Sequence, residues 1–310
     1  MTILITGGGG FIGAGLCKLL GHSNSEDEII SVDKSNSNIL FDKPKNLEVI
    51  TVDLLSDNLK KKLPQSIDTI VHLAGNPNTF VTSRESRKQF LTNINLTSSI
   101  LDYAEETNVS KLIFSSSCYV YTGGNKTPFL ETTTVLPVDS LGASKLASEA
   151  LLKAHSVSKQ IDVLSLRLFT VYGPNSREVQ FIPEAIKKIL STNSPAVFGN
   201  PSVKRDFIFI DDVLEAFRLA INKSLSKDFL VLNIGSGKGY SIESIVNIIR
   251  DLVNPDKEVK YATNNKKDHI IDPDLLGDIT SAKKHLNWNP KMGIQEGLRI
   301  MIDKVKKNHE

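Results

Sequence analysis

The sequence has few of the features that mark secreted, membrane or metal-binding proteins. Its 310 residues include only two cysteines, Cys17 and Cys118. These cannot build a disulfide framework, and no Cys-x-x-Cys or Cys/His cluster suggests a metal site. No segment approaches the roughly 18 consecutive apolar residues that a membrane-spanning helix needs. Residues 2–6 already read as a strand, which leaves no room for a signal peptide. We therefore expect a protein of the reducing cytoplasm without membrane contact.

An excess of charge of either sign is also missing. The 37 basic and 35 acidic residues give a net charge of +2, whereas a nucleic-acid-binding protein usually has a clearly basic balance. A small anionic ligand needs only one or two well-placed cations and stays compatible with this composition. Apolar residues make up 40% of the chain, which is enough to supply a folded core.

Short apolar segments alternate along the chain with longer helical stretches, which is typical of βαβ units and a parallel sheet. Strands are predicted at 2–6, 28–33, 47–52, 68–73, 111–116, 162–168 and 229–234. Helices are predicted to begin near Phe11, Ser86, Ser140 and Asp211. The predicted fold is a doubly wound parallel α/β sheet of the Rossmann type. We assign residues 1–170 and 206–236 to this dinucleotide-binding domain, and 171–205 with 237–310 to a smaller substrate-binding region.

A glycine-rich turn follows the first predicted strand and precedes a predicted helix. Gly7, Gly10 and Gly13 stand three residues apart, a pattern that lets the main chain approach a pyrophosphate at a helix N-terminus. Asp33 ends the second predicted strand, 20 residues beyond Gly13. A carboxylate there accepts hydrogen bonds from ribose hydroxyls and repels a 2′-phosphate, which favours NAD over NADP. The next residue, Lys34, is a cation that could instead favour the 2′-phosphate of NADP.

Further motifs follow in a fixed order along nearly the whole chain. They are Asp53-Leu54, His72-Leu73-Ala74-Gly75, Asn93 with Thr97, Ser115-Ser116-Ser117, Gly142-Ala143-Ser144-Lys145, Arg167 to Pro174, Arg205 to Val213, Asn233 to Gly237 and Trp288-Asn289-Pro290. In this order the chain resembles the extended short-chain dehydrogenase/reductase family, specifically the NAD-dependent epimerases and dehydratases of nucleotide sugars.

The resemblance implies a set of cofactor-binding residues. The pyrophosphate is expected at Gly7, Gly10, Phe11, Ile12 and Gly13, and the adenosine ribose at Asp33. Asp53 and Leu54 are expected beside the adenine, and Leu73, Ala74 and Gly75 along the cofactor channel. Lys145 is expected to hold the nicotinamide ribose.

On the substrate side, the resemblance implies that Ser117 hydrogen-bonds the reacting hydroxyl and that Arg205 meets the substrate diphosphate. The alternative for Arg205 is a surface ion pair with Asp206 or Asp211. The resemblance also implies a homodimer, formed by the helices that begin near Ser86 and Ser140.

One departure from the family pattern bears on the chemistry. The family has Tyr-x-x-x-Lys where this chain has Leu141-Gly142-Ala143-Ser144-Lys145. That tyrosine takes the hydroxyl proton, its pKa being lowered by the lysine one helical turn away. Leucine has no titratable group, and losing a positioned base costs a typical enzyme ~10²–10⁴ in rate. A second departure places Lys266-Lys267-Asp268-His269 where the family has an Arg-Pro-Gly-acidic stretch that clamps the diphosphate.

Tyr119 is our candidate for the missing proton acceptor. Strand side chains alternate, so we expect Ser117, Tyr119 and Tyr121 to share one face of the fifth strand while Cys118 points to the other. Tyr119 then supplies or shares the proton transfer, or alternatively packs over the sugar or the nicotinamide. Tyr121 is expected to be structural and Cys118 a small buried apolar residue.

The leading interpretation is an NAD-dependent epimerase of a nucleotide sugar that oxidises a sugar carbon transiently, with a UDP-sugar as the expected substrate. One alternative is a non-catalytic NAD-binding sensor or partner protein on the same scaffold. Another is a nucleotide-sugar dehydratase that uses Tyr119, although Cys118-Tyr119 replaces the Asp-Glu pair of 4,6-dehydratases. An RNA-associated scaffold is disfavoured by the net charge of +2.

Overall fold

A computed structural model describes residues 1–23, 26–35, 44–57, 59–78, 82–107, 109–123, 126–192, 195–226, 228–262 and 274–307. Its strands are β1 (Thr2–Thr6), β2 (Glu28–Asp33), β3 (Leu47–Thr51), β4 (Thr69–His72), β5 (Lys111–Ser117), β6 (Asp162–Leu168), β7 (Thr170–Tyr172), β8 (Ala196–Phe198), β9 (Lys204–Phe209), β10 (Phe229–Ile234), β11 (Gly239–Ser241) and β12 (Val259–Tyr261). Its helices are α1 (Phe11–Gly21), α2 (Leu59–Lys62), α3 (Ser83–Glu106), α4 (Ser140–Lys159), α5 (Phe181–Leu190), α6 (Ile210–Asn222), α7 (Ile242–Val253), α8 (Thr280–Leu286) and α9 (Ile294–Lys307).

The main sheet has seven strands in the order β10-β6-β5-β4-β1-β2-β3. Each neighbouring pair in it is parallel. Each residue of β4 and of β6 is buried, because helices cover both faces of such a sheet. This burial is why the strands appear in the sequence as apolar segments, and the predicted Rossmann-type fold is confirmed.

Two apolar layers hold the helices on the sheet. On one face, Ile3 and Ile5 of β1 belong to a core that includes Val213 and Phe217 of α6. On the other, Leu4 belongs to a separate core with residues of α3 and α4. The alternation along β1 therefore sends successive side chains to opposite helical layers.

The helices beside the site begin at side-chain caps. The Thr82 hydroxyl accepts from the Glu85 main-chain N–H, and the Glu85 carboxylate accepts from the Thr82 N–H, a capping box. This box starts α3 at Ser83, before the predicted start near Ser86. Asp139 caps α4 by accepting from the Gly142 N–H at 2.8 Å, so α4 begins at Ser140 as predicted.

The later part of the chain forms two small sheets, β11-β9-β7 and β12-β8. The domain boundary predicted between residues 205 and 206 falls inside β9, and the two-region division stays a prediction. Across the described ranges, none of the helices combines the length and the apolar character that crossing a bilayer requires.

Candidate active site

Most of the predicted site residues lie at the carboxyl ends of β1, β2, β4 and β5, whereas Lys145 lies in α4 and Arg205 in β9. β1 pairs with β2 on one side and with β4 on the other. In open α/β sheets, ligands bind beyond the carboxyl ends of the strands, where the strand order reverses. The sheet order therefore brings the glycine turn, the end of β4 and the end of β5 to one edge.

The glycine turn has the shape that a dinucleotide phosphate requires. Gly7 has a φ of +71°, and a Cβ there would lie 2.7 Å from the Ala74 nitrogen. A Cβ on Gly13 would lie 2.1 Å from the Gly7 oxygen, so α1 packs directly on the turn. Gly10 precedes α1 and supplies no side-chain cap. The first-turn amides of α1 are therefore oriented to meet an anion at the positive end of the helix.

Asp33 lies next to this turn, at the end of β2. Its carboxylate accepts from the Gly9 N–H at 3.1 Å and from the Ser35 N–H at 3.2 Å. These two amides fix the half-buried carboxylate beside the glycine turn, in the position expected to meet ribose hydroxyls.

Asp53 and Leu54 follow β3 and have different environments. Asp53 is exposed, whereas the Leu54 side chain is buried in the core. The Leu55 N–H donates to Asp53 at 2.9 Å, and the Lys34 ammonium lies 3.0 Å from its other carboxylate oxygen. The hydrogen bond from Leu55, followed by Lys34, lowers the pKa of Asp53.

The structure brings the end of β4 together with Lys145 of α4. Leu73 and Ala74 are half-buried and Gly75 is exposed. A Cβ placed on Gly75 would lie 3.8 Å from the Lys145 Nζ. His72 is buried and pairs with the Thr6 hydroxyl at 2.7 Å. Burial lowers its pKa to about 3, so it is a neutral core histidine.

Lys145 is a buried cation at this edge of the sheet. Its Nζ donates to the Ser115 carbonyl oxygen at 2.6 Å and lies 4.7 Å from the centre of the Phe114 ring. Burial lowers the pKa of Lys145 to about 8, an effect partly opposed by the Glu149 carboxylate. The ammonium is therefore unusually easy to deprotonate for a lysine.

The predicted alternation beyond Ser117 is wrong. β5 ends at Ser117, whose hydroxyl accepts from the Tyr119 N–H at 3.2 Å, and Cys118–Tyr121 forms a 3₁₀ turn. The four residues after Ser117 therefore do not follow the two-residue period of a strand. Tyr119 is half-buried, while Cys118 and Tyr121 are buried.

Tyr121 and Cys118 have the surroundings of structural residues. The Tyr121 hydroxyl donates to Asn233 at 2.9 Å and accepts from Arg167 at 2.7 Å. Cys118 is buried, and desolvation raises the pKa of its thiol to about 12. Neither group is suited to exchange a proton with a substrate at neutral pH.

Leu141 is buried in the first turn of α4, with 5% of its surface exposed. Its carbonyl oxygen accepts from the Ser144 hydroxyl at 2.8 Å. Asn93 of α3 donates to that hydroxyl at 2.9 Å and accepts from the Asn76 N–H at 2.7 Å. The turn that carries Leu141 is thus tied to α3 and to the loop that follows β4.

Arg205 lies in β9, half-buried, and donates to the Lys204 carbonyl oxygen at 2.9 Å. The neighbouring Asp206 carboxylate accepts instead from the main-chain N–H groups of Ser236 and Gly237, at 2.6 and 3.0 Å. Burial raises the pKa of Asp206 to about 6. The second departure from the family pattern, residues 266–269, lies outside the described residues.

Two polar side chains that sequence reasoning missed lie in the segment between β7 and α5. The Ser176 hydroxyl and the Gln180 side-chain oxygen are buried, and within the described ranges neither has a hydrogen-bond partner. Unpartnered buried polar atoms are rare in folded proteins and often mark a place for a ligand or water. Their spacing fits no motif, and the only available signal was a polar loop after Gly173-Pro174.

The comparison with protein families decides the identity. The profile of the NAD dependent epimerase/dehydratase family matches residues 3–235. The chain belongs to this family. Its description names NAD as the cofactor, and the left-handed Gly7, the uncapped start of α1 and the fixed Asp33 carboxylate fit that dinucleotide.

Similar members of the family match over nearly their whole length. A UDP-glucuronate 4-epimerase of Thermodesulfobacterium geofontis is 29% identical over 99% of this chain and 97% of its own. The crystal structure of a Bacillus cereus UDP-glucuronic acid 4-epimerase, in complex with UDP-glucuronic acid and NAD, is 27% identical. It superimposes with a TM-score of 0.88 over 99% of this chain and 100% of its own. A UDP-glucose 4-epimerase of Thermotoga maritima with bound UDP-glucose is 26% identical, with a TM-score of 0.89 and 100% coverage of both chains.

Proposed function

We propose that the protein is an NAD-dependent epimerase that acts on UDP-sugars. One observation supports the proposal most directly: the residues predicted to bind the dinucleotide and those predicted to act on the substrate lie at the same edge of the sheet. The glycine turn with Asp33 forms a dinucleotide cradle, and Ser117 and Lys145 lie at the neighbouring ends of β5 and α4. Relatives that align over nearly the full chain include epimerases of UDP-glucuronate and UDP-glucose.

Bound NAD supplies the hydride acceptor and donor for a sugar carbon. The amides of Gly7 to Gly13 hold its phosphates, Asp33 its adenosine ribose, and Lys145 its nicotinamide ribose. Ser117 accepts one hydrogen bond from the Tyr119 N–H, and its hydroxyl is assigned as the hydrogen-bond donor to the sugar. Arg205 is assigned to the substrate diphosphate as a charge-assisted donor.

Tyr119 takes the hydroxyl proton in this proposal, since Leu141 has no group that can. The two other titratable side chains of the same turn have unsuitable pKa values. Burial raises the pKa of the Tyr121 phenol to about 12 and that of the Cys118 thiol also to about 12. Tyr119 is half-buried and directly follows the strand that ends at Ser117, which supports its role.

The proposal includes a homodimer formed through α3 and α4. Apolar side chains on these helices are exposed to solvent, with Leu91 at 46%, Leu151 at 40% and Val157 at 65%. A second copy would cover them. A reducing cytoplasmic location also belongs to the proposal, and both cysteines are buried free thiols.

The test is to incubate the purified protein and NAD with UDP-glucose, UDP-galactose, UDP-glucuronic acid and UDP-N-acetylglucosamine, with dTDP- and GDP-sugars for comparison. Absorbance by the reduced nicotinamide detects trapped NADH, and NMR of the sugar detects inversion at a carbon. We expect inversion of at least one UDP-sugar. Tight NAD binding without inversion or reduction across the panel would identify a non-catalytic NAD-binding protein. A 4-keto-6-deoxy product would identify a dehydratase.

A further inference from the structure

Two side chains of opposite charge stand side by side at the end of β2. Asp33 is the carboxylate expected to accept the ribose hydroxyls, and Lys34 follows it directly. A lysine beside the adenosine ribose is the residue type that would attract a 2′-phosphate and so weaken the selection of NAD. The structure gives this lysine another partner.

The Lys34 ammonium lies 3.0 Å from one carboxylate oxygen of Asp53, the residue that follows β3 by two positions. The other oxygen of Asp53 accepts from the Leu55 N–H at 2.9 Å. The carboxylate is thus fixed by the main chain. It holds the Lys34 ammonium towards the end of β3 while Asp33 is fixed separately by the Gly9 and Ser35 amides.

We propose that Asp53 is a specificity-determining residue, because its ion pair with Lys34 keeps that lysine from serving a 2′-phosphate. The role is distinct from that of Asp33, which acts by direct repulsion. The inference rests on the cofactor site of the proposed function and adds a second determinant of cofactor choice.

The size of the effect is limited by solvent. The Lys34 and Asp53 side chains are 62% and 45% exposed, and an exposed ion pair of this kind changes an equilibrium by roughly 1.4-fold to fivefold. Asp53→Asn removes the charge while its side-chain oxygen still accepts from the Leu55 N–H. We therefore expect this variant to tighten NADP binding relative to NAD by about 1.4-fold to fivefold. The gain should shrink as salt is added.

The experiment is isothermal titration calorimetry of the full chain with NAD and with NADP at low ionic strength. The set comprises the unaltered protein, Asp53→Asn, Lys34→Gln, the double variant, and Asp57→Asn as a matched removal of a nearby carboxylate. If NADP binding to the unaltered chain is too weak to detect, each of these variants is combined with Asp33→Ser and the titrations are repeated. Because both dinucleotides share the adenine, their affinity ratio cancels any loss of adenine contact.

The expected result is a shift of the NADP to NAD ratio in Asp53→Asn that disappears in the double variant and is absent from Asp57→Asn. If Asp53→Asn shifts the NADP to NAD ratio equally with and without Lys34, then Asp53 acts by repelling the 2′-phosphate directly. That result would overturn the inference. An unchanged ratio in Asp53→Asn, with NAD binding intact, would also overturn it. Absence of NAD binding to the unaltered protein would instead refute the proposed function.

Discussion

Gly142 and Tyr119 are packed so closely that a Cβ on Gly142 would lie 2.2 Å from the carbonyl oxygen of Tyr119. Real Cβ atoms essentially never approach main chain at this distance, so only glycine fits without a shift of backbone. The contact joins the first turn of α4, which carries Leu141, to the 3₁₀ turn that follows β5. The residue that lacks a titratable group and the candidate that replaces it therefore lie on two turns in direct contact.

Tyr119→Phe tests the proposed proton acceptor. The substitution removes the phenolic hydroxyl and keeps the ring, so packing is largely preserved. Loss of a positioned acid/base group should lower turnover of the true UDP-sugar by about 10²–10⁴, while the affinity for NAD, measured by calorimetry, stays the same.

Tyr103→Phe is the control for this change. Tyr103 lies in the last turn of α3 and donates to the Pro64 carbonyl oxygen at 2.6 Å. Losing that hydrogen bond should lower stability by about 1 kcal/mol without lowering turnover. Unimpaired turnover in Tyr119→Phe would show that its ring only packs in the site.

Leu141→Tyr asks whether the site still responds to a hydroxyl at this position. The position is buried and lies four residues before Lys145, one turn away on the same helical face. We expect faster 4-epimerisation than in Leu141→Phe, which adds similar bulk without a hydroxyl. Both variants should lose about 1–3 kcal/mol of stability from overpacking, as measured by urea unfolding.

Equal turnover in the tyrosine and phenylalanine variants would contradict this expectation. It would mean that a hydroxyl at position 141 does not reach the reacting hydroxyl of the sugar. Turnover is compared at saturating NAD, so that any change in cofactor affinity does not enter the comparison.

The sequence predicted the main sheet well because its strands are buried on both faces. β1, β2, β6 and β10 have the predicted bounds, since an apolar segment ended by a turn residue is a local signal. The glycine turn could be predicted for the same reason, because the spacing of its glycines, the strand before it and the helix after it are contiguous in the sequence.

Features that depend on contacts between distant segments of the chain could not be predicted from the sequence. The apolar residues after Ser117 look like more strand, but the Ser117 hydroxyl caps a 3₁₀ turn, which packs against Gly142. The ion pair of Lys34 with Asp53 depends on the pairing of β2 with β3. The orphaned side-chain oxygen of Gln180 follows no spacing rule.

The lowered pKa of Lys145 predicts a specific dependence of stability on pH. Its pKa is about 8 in the folded protein, against 10.5 for an unperturbed lysine. Between these values the folded state binds fewer protons than the unfolded state, so the free energy of unfolding rises with pH. The rise amounts to about 3 kcal/mol at 1.36 kcal/mol per pKa unit.

Lys145→Met should remove this rise, and Lys153→Met, an exposed change on the same helix, should not. The free energy of unfolding is measured with urea at pH values from about 7 to about 10.5, the range that spans both pKa values. Subtracting the value for the variant from that for the unaltered protein cancels the titrations that the two share. Parallel curves for the unaltered protein and Lys145→Met would refute the prediction. NAD affinity should also fall in Lys145→Met but not in Lys153→Met.

The buried ion pair of Arg167 and Glu149 predicts a large and non-additive effect on stability. Both side chains are 5% exposed, and the guanidinium contacts the two carboxylate oxygens at 3.0 and 2.7 Å. Glu149→Gln leaves a buried guanidinium without a counter-charge, which typically costs about 3–5 kcal/mol. Glu149→Met combined with Arg167→Met removes both charges, and we expect it to be more stable than either single variant. Recovery should be incomplete, because the Tyr121 hydroxyl loses its donor.

The exposed pair Glu215 and Arg218 provides the comparison. It has the same two-pronged geometry, with both contacts at 2.7 Å, but its side chains are 36% and 37% exposed. Glu215→Gln should therefore cost no more than about 1 kcal/mol. Chemical unfolding of the single and double variants yields the coupling energy of each pair. If Glu149→Gln costs no more than Glu215→Gln, water must reach the Arg167 guanidinium, and the site edge formed by β5, β6 and α4 is less tightly closed than its packing indicates.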